Sequence, residues 1–235
     1  MRRWGAWLRA RTRRMVRWTA LVLLLGLLLP VALTALYRVV PPPGTPLMAI
    51  RWLQGDGAQS HWVALEALPR HVPLAMMAGE DNRFCSHWGF DTVELRNAVE
   101  AWLDGGPLRG ASTISMQLTR NLFLWPGGGL PRKALEGLWT PAVELLLPKR
   151  RILELYLNVV EMGRGAFGIG AAARQHFGKP APQLTWLEAA RIAAVLPNPR
   201  ERSAARPGDH VRRRADVLTT RMRQITGLDT CLRPG

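Results

Sequence analysis

A chain of 235 residues is long enough for one ordinary domain with an appendage and too short for several. With 48% hydrophobic and 21% charged residues it can pack a core, which excludes a disordered or collagen-like chain. Lys and Arg number 32 against 17 acids, and a net charge of +15 calls for an anionic partner: nucleic acid, phospholipid or a phosphorylated substrate.

Seven of the arginines (Arg2, Arg3, Arg9, Arg11, Arg13, Arg14 and Arg17) crowd residues 1–17, which hold no acid. Removing them leaves 25 basic residues against 17 acids, a surplus of eight. Residues 18–37 then run for twenty positions without a charge. At a helical rise that is roughly 30 Å, the thickness of a hydrocarbon core. The basic flank predicts a short cytoplasmic end and an exported remainder. Trp4, Trp7, Trp18 and Tyr37 suit the interfacial belts. A cleaved signal peptide would carry a shorter apolar stretch and a small-x-small site, whereas Tyr37-Arg38-Val39-Val40 follows this one. The expected plan is a basic tail over 1–17, a transmembrane helix over 18–40, a Pro-rich spacer over 41–47 and an exported domain over 48–235.

Residues 48–53 and 61–65 flank the turn-like Gln54-Gly55-Asp56-Gly57 and predict a small β-hairpin. Beyond it the periodicity is helical. Val72-Pro73 starts a helix running toward Gly79-Glu80-Asp81. Asp91 with Glu94 reads as a capping box before a stripe of Leu95, Ala98, Val99 and Trp102, stopped by Gly105-Gly106. Residues 108–111 predict a mobile loop. Ser112 or Thr113 caps a helix carrying Ile114, Leu118 and Leu122. Pro131 opens the next, which Pro141 kinks or divides. Ile152, Leu155, Tyr156 and Val159 form a stripe after Pro148. Thr185 and Glu188 make a capping box, and Asp209 caps a last helix with Val211, Ala215, Leu218, Met222 and Ile225 on its apolar face.

Acids are scarce, so carboxylates beside polar clusters stand out. Glu80, behind an apolar turn, sits where desolvation would raise its pKa and improve it as a general base. A solvated Glu80-Asp81 pair balanced by Arg83 is the plainer account. Glu136 follows Arg132 and Lys133 by one helical turn. That makes either a surface ion pair or a carboxylate and two cations converging on a phosphorylated group. Ser112, Thr113, Gln117 and Arg120 stand at and beyond a helix start that suits an anionic or sugar-like ligand, or merely caps itself. His87 reads as a structural histidine, with no second His or acid at metal-ligand spacing. Cys85 and Cys231 are too few for a disulfide framework and not at C-x-x-C spacing, which excludes a zinc cluster or dithiol site. Arg212-Arg213-Arg214 reads as a solvated helix face.

Taken together, Gly79-Glu80-Asp81-Asn82-Arg83-Phe84-Cys85-Ser86-His87-Trp88-Gly89-Phe90-Asp91 resembles the first motif of the family 51 glycosyltransferases. These are the peptidoglycan-polymerising domains of class A penicillin-binding proteins and their stand-alone relatives. Residues 110–121 match the second motif and Arg132-Lys133-Ala134-Leu135-Glu136 the third, and residues 149–158, 171–179 and 189–199 continue the likeness. Two positions depart from it: Met116 stands where the family has a first glutamine, and Arg120 replaces a lysine. Ser-x-x-Lys followed by Lys-Thr-Gly is absent, so no transpeptidase is expected.

The resemblance implies a mainly α, lysozyme-like helical glycosyltransferase domain with a small β-hairpin on one N-terminal transmembrane helix. It implies polymerisation of lipid II into β-1,4 glycan strands, with inversion and release of undecaprenyl pyrophosphate. By the same likeness Glu80 is the general base and Glu136 the second carboxylate. Arg120, Arg132 and Lys133 lie near the leaving diphosphate, while Asp81, Phe84, His87, Ser112, Thr113 and Gln117 shape the site. Glu136 either binds a divalent cation, Mg or Mn, or orients the neighbouring cations, and no organic cofactor is implied. Asn158 is structural, and Glu161 stands where many relatives carry an aromatic, so the likeness assigns it no role. The implied partners are lipid II, the growing lipid-linked strand, anionic membrane and the division or elongation cell-wall proteins, at the inner membrane with the catalytic domain periplasmic. Competing readings are a non-catalytic lipid II-binding scaffold and a glycan-cleaving enzyme. A nucleic-acid binder is disfavoured, since the exported side is the wrong compartment and no such motif is present.

Overall fold

The structure, a computed structural model, describes residues 2–106, 110 and 112–232, with side chains from residue 11 onward except residue 23. The side chains of Trp4 and Trp7, expected in the interfacial belt, and the loop expected at residues 108, 109 and 111 lie outside what is described.

The first helix, α1 (Arg2–Tyr37), begins far earlier than the apolar stretch and carries the arginine tail as continuous helix. Its stretch Arg11–Tyr37 is long and apolar enough to cross a membrane. Trp18, Val22, Leu24, Leu25, Leu28 and Leu29 remain exposed, so this is no core helix of a soluble domain. Its far end is docked. Tyr37 is buried, its carbonyl accepts from Arg151 Nε at 2.8 Å, and Arg38 Nη1 donates to the Leu146 carbonyl at 3.2 Å.

The hairpin expected over 48–65 is absent. Residues 46–53 instead form α2 (Pro46–Leu53), because Thr45 caps the Met48 N–H at 3.2 Å and Pro46 takes the first position, where it costs no hydrogen bond. Two-residue β1 (Gln59–Ser60) pairs in parallel with β3 (Ala166–Phe167), which pairs antiparallel with β2 (Glu161–Gly163). The small hairpin of this fold is therefore β2–β3, in the order β1-β3-β2.

At the centre is α3 (His71–Glu80), apolar on all sides from Val72 to Ala78 and buried throughout that run. It packs against α9 (Trp186–Val195) and α10 (Asp209–Gln224). Small residues set the spacing: a Cβ on Gly79 would lie 3.5 Å from the Ala193 Cβ. The Thr185–Glu188 capping box opens α9 as expected, whereas α10 is capped at Gly208, with Asp209 inside its first turn. Helices α5 (Ile114–Phe123), α6 (Gly129–Leu146) and α7 (Lys149–Val159) form the other half, and α8 (Gly168–Phe177) closes against the sheet. Thr113, not Ser112, caps α5. Pro141 lies within α6 without dividing it. The stripe on α4 (Thr92–Leu103) does not reach the core: Ala98 alone is buried, and Leu95, Val99 and Trp102 are exposed.

Cys85 and Cys231 form a disulfide across 146 residues of sequence, fastening the C-terminal turn to the loop after α3. The cysteine count excluded a framework, and a single long-range bridge was not read from it. The same turn is held by a bidentate Arg70–Asp229 pair at 2.7 and 2.6 Å and by Arg150 Nη1 on the Leu232 carbonyl at 2.6 Å. A bridge closing so long a loop stabilises by about 2–4 kcal/mol. Cys231→Ser should therefore lower Tm by about 4–16 °C for a domain of this size. Thermal unfolding with and without reductant checks this, and reductant should leave the Cys231→Ser value unchanged.

Candidate active site

Glu80 is the last residue of α3, where the buried helix meets the surface. Its Oε2 accepts from Gln117 Nε2 at 2.9 Å, and its Oε1 has no hydrogen bond, with Arg214 Nη2 at 3.7 Å. Burial pushes this carboxyl above its ordinary range, while the Gln117 bond and the Arg214 and Arg120 charges oppose the rise. A carboxylate at a helix C-terminus also faces the negative end of the dipole. Arg214 relieves that by donating to the Gly79 carbonyl at 3.2 Å. Arg214 is therefore no solvated residue of a basic face. It flanks the apolar stripe of α10, and that position is the signal that could have placed it.

Asp81 turns inward. Its oxygens accept from His87 Nε2 at 2.9 and 3.1 Å and from the Ile114 N–H at 3.0 Å, which ties the loop after α3 to the start of α5. Arg83 pairs with Asp91 at 3.3 Å, not with Glu80 or Asp81. Asp81, His87 and Asp91 thus come within 4.8 Å of one another, two acids about a histidine whose sequence neighbours had offered none. Their oxygens are committed to His87, backbone N–H groups and Arg83, which makes the cluster a brace. Phe84 is fully buried beneath it with Lys149 Nζ 4.5 Å from its ring, so it supports the site from below.

Gly89 lets this loop seat on α6. Its φ of +84° suits glycine, and a Cβ there would stand 2.7 Å from Thr140 Cγ2. Thr113 closes the seat, its hydroxyl donating to the Gly89 carbonyl at 2.6 Å while accepting from the Met116 N–H at 3.2 Å. Below, the buried Glu144 carboxylate accepts from the Ser115 hydroxyl and from Lys149 Nζ, the latter at 2.8 Å, joining α5, α6 and α7.

Glu136 is 1% exposed, which excludes a surface ion pair. Both its oxygens face cations: Oε1 meets Arg132, and Oε2 accepts from Lys133 Nζ at 2.7 Å. Lys133 also reaches the Ser112 hydroxyl at 2.7 Å. Burial, then the Arg120 and Arg132 charges, push the Lys133 ammonium down in pKa. A carboxylate so engaged, without a second converging acid or histidine among the described residues, does not fit a resident divalent cation. It orients two cations instead.

Two cavities open at opposite ends of α5. One, of about 180 Å³, is lined by Glu80, Asp81, Arg83, Ser112, Thr113 and Arg221. The other, of about 230 Å³, is lined by Arg51, Arg120, Asn121, Trp125 and Arg132, and Arg120 has no ion-pair partner among the described residues. The structure thus brings Glu80, Gln117, Ser112, Lys133 and Glu136 into one hydrogen-bonded chain with Arg120 beside it. Such an arrangement can accept a proton at one end and neutralise anionic oxygen at the other. Asn158 is structural, bonding both the Val63 N–H and carbonyl at 2.8 and 2.9 Å. Glu161 holds Arg51 at 3.0 Å.

A helical domain with a half-buried carboxylate opposite a cluster of cations defines a class, and residues 47–223 match the transglycosylase family model. The chain belongs to this transglycosylase family and is a glycosyltransferase with a lysozyme-like helical fold. It is 50% identical over 226 residues to the biosynthetic peptidoglycan transglycosylase of Rhodospirillum centenum, covering 93% of this chain and 96% of that one. The proteins of the same name from Ectopseudomonas mendocina and Pseudomonas aeruginosa are each 46% identical, covering 94% and 86% of this chain and 92% and 90% of theirs.

The Glu80 environment has a thermodynamic signature. A carboxyl whose pKa is raised by folding favours the fold most below its unfolded value, and that contribution is lost as pH rises through the folded one. Glu80→Gln should therefore raise Tm near neutral pH, with the gain disappearing as the pH falls toward the ordinary carboxylate range. Thermal unfolding across that range checks the sign.

Proposed function

We propose that this glycosyltransferase polymerises lipid II into β-1,4 glycan strands of peptidoglycan. The carrying observation is Glu80, one oxygen unbonded, linked through Gln117 and Ser112 to Lys133 and Glu136, with Arg132 on the same Glu136 carboxylate and Arg120 toward the far end of α5. A sugar hydroxyl attacks the anomeric carbon of the lipid-linked strand, and Glu80 takes its proton as the carbon–oxygen bond forms. The carbon–oxygen bond to the diphosphate breaks, the electron pair leaves with undecaprenyl pyrophosphate, and the displacement inverts the centre. Arg120, Arg132 and Lys133 stabilise the charge on the departing group, held in place by Glu136. Asp81, His87, Ser112, Thr113 and Gln117 keep the two ends in register, Phe84 supports them, and no organic cofactor takes part.

Three features support an export topology, with α1 crossing the inner membrane from a cytoplasmic N-terminus to a periplasmic catalytic domain. The apolar side chains of α1 are exposed, seven arginines precede its apolar stretch, and the disulfide suits an oxidising compartment. The surplus of basic residues suits an anionic membrane surface, with division or elongation cell-wall proteins as neighbours.

Labelled lipid II turned over by the full chain in detergent or vesicles tests the reading. Glu80→Gln should slow polymerisation at least ~10²-fold while remaining folded. Lys133→Met should slow it about 10²–10³-fold, the scale of removing one stabilising contact to a developing anion. Near-normal turnover by the first variant would remove Glu80 from the mechanism. Binding without turnover by the unmodified chain would mark a scaffold, and soluble fragments from finished peptidoglycan would mark a cleaving enzyme.

A further inference from the structure

Tyr156 sits in the last turn of α7, wholly buried among apolar side chains. Its hydroxyl donates to Gln117 Oε1 at 3.1 Å, and the other end of that amide, Nε2, donates to Glu80 Oε2 at 2.9 Å. The polarity of this chain is dictated from one end. An ionised carboxylate only accepts, so the amide nitrogen must face it, which turns the amide oxygen the opposite way. A buried carbonyl oxygen left there without a donor is costly. The phenol supplies that donor, and it keeps its proton because burial, then the Glu80 charge, hold its pKa well above the ordinary value.

We propose that Tyr156 is a positioning residue for the transfer reaction: its hydroxyl locks the Gln117 amide with nitrogen toward Glu80 and so keeps the base an acceptor. The inference rests on Glu80 being the base. Without the lock the amide orientation rests on Glu80 itself and on the long 3.5 Å contact of Nε2 with the Ser112 carbonyl, so the turned amide is populated more. An oxygen facing Glu80 favours the protonated acid, which takes no proton from a sugar. The other groups around Glu80 do not duplicate the lock. Arg214 from α10 and Arg120 from α5 act through charge alone, and Asp81 opposes them. Arg83, Glu94 and Arg221 line the same cavity without a hydrogen bond to Glu80. Toward α9, the neighbours of Gly79 are apolar or backbone atoms.

The test is the pH dependence of lipid II turnover by the full chain. Tyr156→Phe keeps the ring and removes the hydroxyl. Its acid limb in kcat should move up by about half to one pH unit, the worth of one buried hydrogen bond. On that limb kcat should fall about 3–10-fold and recover at alkaline pH, with KM within about twofold. Gln117→Met should move the limb in the same direction, and adding Tyr156→Phe to it should produce no further shift. A uniform loss of kcat with the limb unmoved, or a further shift in the double variant, overturns the proposal. Gln117→Met reads the limb even where Tyr156→Phe fails to fold, and an unmoved limb there overturns it equally. Near-normal turnover by Glu80→Gln would instead remove the base assignment, a failure distinguishable from that of Tyr156.

Discussion

A carboxylate at the end of α3 is pulled in two directions, and much of the packing around it serves to keep it between them. Withdrawal from water favours the acid, whereas the Gln117 amide and the Arg214 and Arg120 charges favour the anion. Gln117 and Arg120 arrive on α5 and Arg214 on α10, so the balance exists only when α3, α5 and α10 are assembled. The Asp81–His87 brace ties the end of α3 to α5, Arg214 ties α10 to α3 through the Gly79 carbonyl, and the buried Glu144–Lys149 pair fixes α5 against α6 and α7 through Ser115. Neither pair need add much net stability, because desolvation offsets most of the attraction. What they supply is a fixed arrangement.

The two cavities explain why α5 is so polar for a buried helix. Ser115, Thr119 and Asn121 are buried along with Ile114, Leu118 and Leu122, and each polar group bonds to α6 or to its own helix. The helix works as a rigid ruler. From Thr113 to Arg120 its rise is about 10 Å. That spacing sets Arg120 toward the second cavity, where its charge still favours the Glu80 anion without a direct ion pair to it.

Much of this was legible beforehand and some was not, for identifiable reasons. The core faces of α3, α5, α7 and α10 follow from spacing, because an apolar stripe has one stable use in a helical domain. The Thr185–Glu188 box was legible because its donors and acceptors are neighbours in sequence. Residues 46–53 misled because a short apolar run before a Gly-Asp-Gly turn fits strand and helix alike, and the Thr45 cap decided it. Arg214 and Tyr156 escaped because each reads as part of a repeating face, basic or apolar, and only the tertiary fold shows what its polar tip meets. The bridge between Cys85 and Cys231 escaped because no local signal pairs residues so far apart. Glu80, Glu136, Gln117 and Lys133 were chosen through a family likeness; their contacts explain the choice physically.

The docking of α1 carries a consequence for how the molecule works at a surface. Tyr37 is buried, Arg38 and Arg151 bridge the junction, and Pro42, Pro43 and Gly44 form a wall of the domain beside Trp52 and Trp62. An enzyme on a slack tether swivels and sweeps out a hemisphere. Here the joint is bridged, so a bilayer crossed by α1 would let the domain drift and spin more readily than nod. Its mouth would then hold a set height above the lipid plane, and a polymer leaving it would emerge at a heading set by the tilt of a single helix.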